Sequence, residues 1–219
     1  MMMLVIYGAG GFGREVMDAA RRVNERHARW EGIAFLDDRI TEPTIYGADV
    51  LSLSHAVERF GNTRLEAVIA TGEPHVRKAL REKLEAANVR MATVIDDTTV
   101  VSPSSEISAG VVMLCGCYVS SGAKLGANVA VVAGSMIGHD TVIGDDAVIS
   151  GQVNIGGCSR IGSQSYVGMG VQIKDQTKIG SSCIIGMGSV VFKDIPDDVV
   201  ALGNPCRPMH PNTEKRVFK

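Results

Sequence analysis

Residues 137–161 read IGHDTVIGDDAVISGQVNIGGCSRI, and an isoleucine opens every group of six residues. The spacing continues in both directions, so that Ile, Leu, Val or Met stands at every sixth position from Ile95 to Val191. A small residue mostly follows four places later, and glycine often follows directly, at positions 126, 138, 144, 156, 162, 168, 180 and 186. A period of six fits neither an α-helix nor an ordinary alternating strand.

The six-residue period predicts a parallel β-helix in which each group forms one short strand and one corner. The aliphatic residue points inward and stacks on its counterpart in the next coil, and the small residue fills the remaining interior. Glycine serves corners that need a positive φ or a close backbone approach. Three groups per coil give about five to six coils, and the unbroken register predicts no long loop inside the stack.

Composition excludes several classes of function. The 219 residues suffice for one large or two modest domains, and the formal net charge of −2 without a basic patch argues against nucleic acid as a partner. The N-terminal residues lack the basic region of a signal peptide, and no apolar run reaches the length of a membrane span. Five cysteines without a secretion signal predict a reducing, cytoplasmic location. Cys117 and Cys183 occupy small inward positions and are expected to be inert, and no zinc-ligand spacing is present, so no metal is predicted.

The segment before the repeat predicts a small α/β domain with a parallel sheet, equivalent to half of a dinucleotide-binding fold. The predicted strands are 4–7, 32–36 and 66–70, and the predicted helices are 14–27, 53–60 and 75–88. In the last helix, Val76, Leu80 and Leu84 are expected to form one apolar face.

The sequence Gly8-Ala9-Gly10-Gly11-Phe12-Gly13 joins the first predicted strand to the first helix. Such a turn lets backbone N–H groups approach phosphates, and the helix N-terminus favours the negative charge. Asp37 and Asp38 end the second strand, near the place where ribose or base recognition is expected. A mononucleotide fits this half-fold better than NAD does, and the alternative is that the glycines only pack the helix against the strand.

Histidine is rare, because the chain has only five. His27, His55 and His75 lie on or beside predicted helices and are expected at the solvated surface, and His210 lies in the C-terminal tail. His139 instead interrupts the small, neutral repeat sequence. Imidazole exchanges a proton near neutral pH, which suits a general base, and a neighbouring carboxylate can fix its tautomer. His139 and Asp140 are therefore candidate catalytic residues, and the alternative is a polar corner that faces solvent. No cysteine is adjacent to His139 in sequence, so no covalent intermediate is expected.

A small G-x-G-G-x-G domain joined to a six-residue repeat resembles the PglD/NeuD-type sugar-nucleotide acetyltransferases of the hexapeptide-repeat superfamily. The motifs given above carry the resemblance, together with Ile69-Ala70-Thr71-Gly72 and Gly203-Asn204-Pro205. The resemblance implies a left-handed β-helix, acetyl-CoA as co-substrate, and a homotrimer with its sites between subunits. It also implies N-acetylation of the 4-amino group of a nucleotide-linked 4-amino-4,6-dideoxy sugar, such as GDP-perosamine or a UDP- or dTDP-linked analogue, for surface polysaccharide or glycan synthesis.

The resemblance further implies which residues meet each ligand. Contacts to the nucleotide sugar are expected at Gly10, Gly11, Gly13, Asp37, Asp38 and Gly72. Contacts to acetyl-CoA are expected at Gly157, Met169, Gly186, Met187 and Arg207. The chain departs from the family at two places. The residue after the base is typically Glu but is Asp140 here, and Val148 stands where some members have a second histidine.

The predicted domains are a nucleotide-sugar-binding α/β domain at 1–94, a left-handed β-helix acetyltransferase domain at 95–196, and a C-terminal turn and tail at 197–219. Two alternative functions are compatible with the same residues. One is an O-acetyltransferase that acts on sialic acid or another sugar, and the other is a non-catalytic trimer that binds sugar nucleotides.

Overall fold

The computed structural model describes residues 2–218, which form an N-terminal α/β layer and a long β-prism. The N-terminal elements are β1 Met2–Tyr7, α1 Gly11–His27, β2 Trp30–Leu36, β3 Thr44–Ile45, β4 Ala48–Leu51, α2 Leu53–Phe60, a 3₁₀ turn Asn62–Arg64, β5 Leu65–Ile69, α3 Pro74–Ala86 and β6 Arg90–Met91. They build one sheet in the order β3-β4-β2-β1-β5-β6, which is parallel except for the β3–β4 pair. The predicted strands and helices are all present, and the hairpin formed by β3 and β4 was not predicted.

The predicted apolar face of α3 is wrong at one position. Val76 is 42% exposed, whereas Leu84 is fully buried and Leu80 is partly buried. The side chain that takes the inner place is Arg77, which is completely buried. The helix therefore turns a cation, not a third aliphatic residue, toward the rest of the molecule.

Seventeen two-residue strands follow at intervals of six residues. Each strand pairs in parallel with the strand 18 residues further on, as Val112 does with Ala130, so three strands make one coil. Sheet 1 contains β7 Val94–Ile95, β10 Val112–Met113, β13 Ala130–Val131, β16 Val148–Ile149, β19 Tyr166–Val167 and β22 Ile184–Ile185. Sheet 2 contains β8 Val100–Val101, β11 Tyr118–Val119, β14 Met136–Ile137, β17 Asn154–Ile155, β20 Gln172–Ile173 and β23 Val190–Val191. Sheet 3 contains β9 Glu106–Ile107, β12 Lys124–Leu125, β15 Val142–Ile143, β18 Arg160–Ile161 and β21 Lys178–Ile179.

The prism interior matches the prediction. The second residue of every strand from Met113 to Val191 is buried, and so is the small residue four places after it. Five full coils and most of a sixth stack without an inserted loop, which confirms the predicted register.

The corners differ from the prediction in where a positive φ occurs. It falls three places after the inward residue, for example at Gly122 (67°), Asp140 (56°) and Cys158 (58°). The glycines that directly follow the inward residue serve the other predicted purpose, close approach. A Cβ on Gly138 would lie 2.6 Å from the backbone nitrogen of Gly157 in the next coil, far inside van der Waals contact.

A C-terminal hairpin closes the prism. Strand β24 Val199–Leu202 pairs with β22 in sheet 1, and β25 Arg207–Pro211 runs antiparallel to β24. The predicted chain reversal at Gly203-Asn204-Pro205 is therefore confirmed. No helix among residues 2–218 combines the length and the apolar character that crossing a membrane would require.

The N-terminal layer is fixed to the corner between sheet 3 and sheet 1 by a buried polar network. Nε and Nη2 of Arg77 donate to the carbonyl oxygen of Asn128, at 2.9 and 2.6 Å, and Nη1 donates to the carbonyl oxygen of Ile69 at 2.8 Å. Burial lowers the pKa of the Arg77 guanidinium to about 9, which leaves it charged at neutral pH. Asp146, which is buried, accepts from Nδ2 of Asn128 and forms an ion pair with Arg81 at 2.8 Å. The outer face of sheet 1 is covered as a result, and Val112 and Ala130 there are fully buried.

Candidate functional site

His139 lies at the corner where the chain leaves β14 of sheet 2 and enters β15 of sheet 3. Its Nδ1 is 2.9 Å from Oδ2 of Asp140, so the two predicted catalytic residues are in hydrogen-bond contact. Their side chains are 59% and 65% exposed. The pair therefore stands on the prism surface, open to a ligand.

Two glycines make room for this pair. Gly157 lies one coil beyond His139, and a Cβ there would lie 2.7 Å from Cδ2 and Cε1 of the imidazole. Gly122 lies one coil before Asp140, and a Cβ there would overlap Oδ1 of the carboxylate. The ring and the carboxylate can occupy these positions only because both neighbours lack a side chain.

Cys158 is the third side chain at this corner. It is exposed, and its Sγ lies 4.0 Å from Nδ1 of His139. Asp140 and Cys158 both approach the same ring nitrogen, so the three groups do not form a relay in which the imidazole would activate the thiol through one nitrogen and contact the acid through the other. The geometry agrees with the expectation of no covalent intermediate.

The glycines of the N-terminal turn divide into two groups. Gly8 has φ of 113°, and a Cβ on Gly13 would clash with its carbonyl oxygen, so Gly8 and Gly13 pack α1 against β1. A Cβ on Gly10 or Gly11 would meet nothing within 4 Å. Gly10 and Gly11 therefore have an open side from which a phosphate can approach the helix N-terminus, while Gly13 is buried.

The acidic pair after β2 has partners of its own. Asp37 accepts from the backbone N–H of Ala9 through Oδ2, at 3.2 Å, and this bond ties the pair to the glycine turn. Asp38 accepts from the Tyr7 hydroxyl and from Nζ of Lys83, the latter at 2.7 Å. Desolvation raises the pKa of the Asp38 carboxyl, but the bonds from Lys83 and Tyr7 outweigh it and lower that pKa overall.

A cavity of about 540 Å³ opens beside Asp38. Its lining comes from the loop after β2, from α2 and from the last turn of α3, and comprises Asp38, Leu53, Ser54, Val57, Glu58, Lys83 and Ala87. The floor is apolar and the rim carries both signs of charge. This is the size and character of a pocket for a small polar molecule with a flat apolar face.

The C-terminal residues reach the third predicted contact of the nucleotide sugar. The Phe218 ring lies beside Gly72, where a Cβ would be 3.1 Å from its Cε2. The same ring packs edge-on against Tyr166 of sheet 1, with centroids 5.7 Å apart. The backbone N–H groups of Val217 and Phe218 donate to the carboxylate of Glu73, at 2.8 and 2.7 Å. The tail thus becomes a wall of the predicted substrate site.

The predicted acetyl-CoA contacts do not surround His139 within one chain. Met169 and Met187 are 53% and 76% exposed and follow strands of sheet 1, at its corner with sheet 2. His139 lies at the opposite edge of sheet 2, and only Gly157 of the predicted set adjoins it. Gly186 packs against Leu202 of the C-terminal hairpin, and Arg207 is exposed at the start of β25. Val148 is buried on the outer side of sheet 1, on a different face from His139.

An apolar column runs along the outer side of sheet 2 next to His139. Val100, Tyr118 and Met136 stack in register on successive coils and are 59%, 46% and 45% exposed. The next two residues in the column, Asn154 and Gln172, are polar. The apolar part therefore ends at the level of His139. We call these three residues the apolar column.

The remaining histidines and cysteines give one correction. His75 is not a solvated surface residue, because its Nε2 is buried and has no hydrogen-bond partner among residues 2–218. Desolvation, followed by the charge of Lys215, lowers its pKa. Cys117 and Cys183 are buried as predicted, and burial raises the pKa of both thiols.

Sequence reasoning missed four functional-site neighbours, namely Tyr7, Lys83, Cys158 and Phe218. Only Cys158 had a usable signal, since it lies 18 residues, or one full coil, after Asp140. Lys83 and Phe218 meet their partners through contacts 45 and 145 residues apart, for which the repeat gives no rule.

Comparisons with known proteins match both parts of the chain. The PglD N-terminal domain profile matches residues 3–84, and the bacterial transferase hexapeptide (six repeats) profile matches residues 158–193. No curated protein sequence gives a significant match.

Solved structures match over nearly the whole chain. WeeI from Acinetobacter baumannii AYE is 32% identical, with a TM-score of 0.89, and 95% of this chain and 100% of that chain are covered. The acetyltransferase domain of PglB from Neisseria gonorrhoeae FA1090 is 30% identical with the same TM-score and coverage, and its complex with acetyl coenzyme A matches at 29%, with a TM-score of 0.88 and 94% and 98% coverage. PerB from Caulobacter crescentus, in complex with CoA and GDP-perosamine, is 24% identical, with a TM-score of 0.87 and 96% and 98% coverage. The matches confirm the predicted fold class, a parallel-sheet α/β domain followed by a left-handed parallel β-helix.

Proposed function

The chain belongs to the hexapeptide-repeat acyltransferases that carry a PglD-type N-terminal domain, and we propose that it transfers acetyl from acetyl-CoA to the 4-amino group of a nucleotide-linked 4-amino-4,6-dideoxy sugar. It is an acyltransferase, and the relative at 30% identity is described as an acetyltransferase domain, solved also with acetyl coenzyme A. The observation that carries the proposal is the exposed His139–Asp140 pair, 2.9 Å apart, on the prism corner.

His139 is the general base in this proposal. Asp140 accepts the Nδ1–H of the neutral ring and thereby leaves the lone pair on Nε2 free. Nε2 takes a proton from the substrate amine as its nitrogen bonds to the thioester carbonyl carbon, and the bond to the CoA sulfur then breaks. The thioester is already activated, so no acyl-enzyme is required and Cys158 has no part in this step.

Gly157 supplies the second catalytic group. Its backbone N–H has no acceptor among the residues that the structure describes, and it adjoins the imidazole. A free N–H at this position can donate to the carbonyl oxygen as negative charge develops on it, which is the role of an oxyanion hole. The absence of a side chain at Gly157 also lets the thioester come close to the base.

The donor site requires two copies of the chain. His139 lies at one edge of sheet 2, whereas Met169 and Met187 lie at its other edge, so one prism cannot offer both to the same acetyl-CoA. Packing of sheet 2 against a neighbouring prism buries the apolar column and brings the two edges from different subunits together. We therefore propose a homotrimer with the acetyl-CoA site between subunits, and we place Arg207 near the CoA phosphates.

The N-terminal domain holds the nucleotide sugar in this proposal. The open N–H groups of Gly10 and Gly11 bind the diphosphate, and the cavity beside Asp38 takes the nucleoside. Gly72 and Phe218 then lie next to the sugar. The base of the nucleotide stays open between GDP, UDP and dTDP, because the lining of the cavity offers no group that selects one of them. The product would serve surface polysaccharide or glycan synthesis.

The predicted compartment is the cytoplasm. All five cysteines within residues 2–218 are free, and Cys115 and Cys158 are exposed. Exposed free thiols are typical of proteins that work in a reducing environment.

The test is product formation with a panel of GDP-, UDP- and dTDP-linked 4-amino sugars and acetyl-CoA, followed by mass spectrometry. We expect one acetyl group on the nitrogen of one panel member, as an amide that resists mild base. In His139→Ala, kcat should fall about 10²- to 10⁴-fold, with unchanged thermal unfolding because the side chain is exposed. An acetyl ester on a hydroxyl would favour the O-acetyltransferase alternative, and full activity of His139→Ala would exclude the proposed base.

A further inference from the structure

The corner that carries His139 holds three metal-ligating atoms in close reach. Nδ1 of His139 is 2.9 Å from Oδ2 of Asp140 and 4.0 Å from Sγ of Cys158, and all three ligand atoms lie within 4.8 Å of one another. Around a tetrahedral zinc ion with bonds of about 2.0–2.3 Å, ligand atoms are roughly 3.3–3.6 Å apart. The observed separations bracket that range, so small side-chain rotations suffice to enclose an ion.

The backbone holds these side chains at a fixed spacing. Asp140 and Cys158 occupy equivalent places in successive coils, with φ of 56° and 58°, and both are therefore turned outward in the same way. The backbone N–H of Cys158 donates to the carbonyl oxygen of His139 at 2.7 Å, which locks the two coils together at the site itself. A ligand set on such a ladder needs little ordering to bind an ion.

We propose that this corner is an inhibitory site for Zn²⁺ and similar thiophilic divalent cations, with Nδ1 of His139, the Asp140 carboxylate and the Cys158 thiolate as protein ligands. Water takes the fourth position, since the site is open to solvent. Binding breaks the S–H bond of Cys158 and forms a sulfur–metal bond, and the proton leaves to solvent. The nitrogen, carboxylate and thiolate set is the one that zinc prefers over magnesium or calcium.

The inhibitory consequence follows from the imidazole and rests on the proposed function. A metal on Nδ1 uses the lone pair of that nitrogen, so the single proton of the neutral ring must sit on Nε2. Nε2 then has no lone pair with which to accept a proton from the substrate amine. The cation also draws Asp140 away from the ring. One bound ion thus removes both features on which the proposed base depends.

Binding is tested directly with the metal-stripped full-length protein and Co²⁺ as the probe. We expect a near-ultraviolet thiolate-to-cobalt absorption that saturates at one equivalent and disappears when Zn²⁺ is added. Cys158→Ser should lose this absorption, whereas Cys115→Ser, which changes the other exposed cysteine, should keep it. His139→Gln should weaken binding by about tenfold or more. Absorption that persists in Cys158→Ser, or none in the parent protein, would overturn the site.

Inhibition is tested by measuring acetylated product directly, because zinc also binds the thiol of released CoA. Each variant is compared with its own zinc-free rate. We expect Zn²⁺ to suppress the parent enzyme and the half-inhibiting concentration to rise about tenfold or more in Cys158→Ser but not in Cys115→Ser. Equal zinc sensitivity of the parent and Cys158→Ser, or stimulation by zinc, would refute inhibition. A protein that shows the Cys158-dependent absorption but forms no product from any panel sugar refutes the proposed function and leaves the metal-binding site standing.

Discussion

Asp140 and Asp146 occupy the same place in successive six-residue groups, yet their surroundings are opposite. Their φ angles are 56° and 60°, so the backbone treats them alike. The Asp140 side chain is 65% exposed and contacts His139, whereas the Asp146 side chain is 2% exposed and is held by Arg81 and Asn128. The difference arises because the N-terminal layer packs on the corner that bears Asp146 and leaves the corner that bears Asp140 open.

The comparison separates what the repeat specifies from what the packing specifies. The repeat sets the backbone of both corners, including a left-handed conformation that aspartate tolerates. Whether the carboxylate stabilises the fold or serves chemistry depends on the element outside the prism. We therefore expect substitutions at the two corners to separate stability from activity.

The largest effect is expected for Asp146→Ala. Removal of this carboxylate leaves Arg81 and Asn128 without their buried partner, and the loss of one member of a buried ion pair typically costs about 3–5 kcal/mol. Denaturant unfolding measures the change in the free energy of unfolding. Asp140→Ala is the matched control and should change that free energy by less than about 0.5 kcal/mol. Equal destabilisation by the two variants would remove the distinction between the corners.

The next largest effect is expected for Gly157→Ala. The new methyl group would overlap the imidazole of His139 and push it from its position, and a displacement of about 1 Å at a catalytic group lowers kcat by roughly 100-fold. Gly151→Ala is the control, because Gly151 has the same place in its group and the nearest atom to its added Cβ is 3.5 Å away. Steady-state kinetics of both variants decide the matter. A fully active Gly157→Ala enzyme would show that the observed ring position is not the catalytic one.

A smaller effect is expected for Asp140→Asn. The amide no longer stabilises the imidazolium, but the site is exposed to water, so we expect kcat to fall only about tenfold, less than for a buried triad carboxylate. Asp140→Glu keeps the charge and should recover most of the activity. Unchanged kcat in Asp140→Asn would reduce Asp140 to a polar corner residue.

The smallest effect concerns a third acidic corner residue, Asp96, which is buried and accepts from Nη2 of Arg22 at 2.6 Å. Desolvation raises the pKa of the Asp96 carboxyl, but bonds from Thr98 and Arg22 outweigh it and lower that pKa overall. A lowered folded-state pKa gives stability that is present above the ordinary aspartate pKa of about 3.9 and is lost as the pH falls through the folded value. The free energy of unfolding should therefore decline less steeply below about pH 4 in Asp96→Asn than in the parent protein. Identical acid profiles would contradict this.

The prism was predictable almost to the residue, because each group of six repeats the same interior contact. The positions with positive φ were not, since those corners accept Asp, Gln, Ser and Cys as well as Gly, for example at Asp140 and Gln152. Glycine is instead most frequent where the next coil comes close, so its spacing reported steric crowding.

The N-terminal layer was predictable in its elements but not in its contacts. The apolar pattern of α3 suggested Val76 for the inner face, but the prism corner presents carbonyl groups there, and Arg77 satisfies them. The pair Tyr7 and Lys83 around Asp38 depends on contacts between distant segments, which no local pattern reports. Cys158 beside His139 was within reach of the sequence, because addition of one 18-residue coil to Asp140 gives its position.

The three-sided winding also makes the prism an indexing device for evolution. Loss of six residues before Ile137 would turn every later corner by a third of a revolution about the axis, and His139 would leave the edge of sheet 2. Loss of 18 residues would instead slide it by one step along the same edge, with its bearing unchanged. Length differences that preserve the imidazole's orientation are therefore restricted to whole turns of the spiral, even though each six-residue unit is structurally complete on its own.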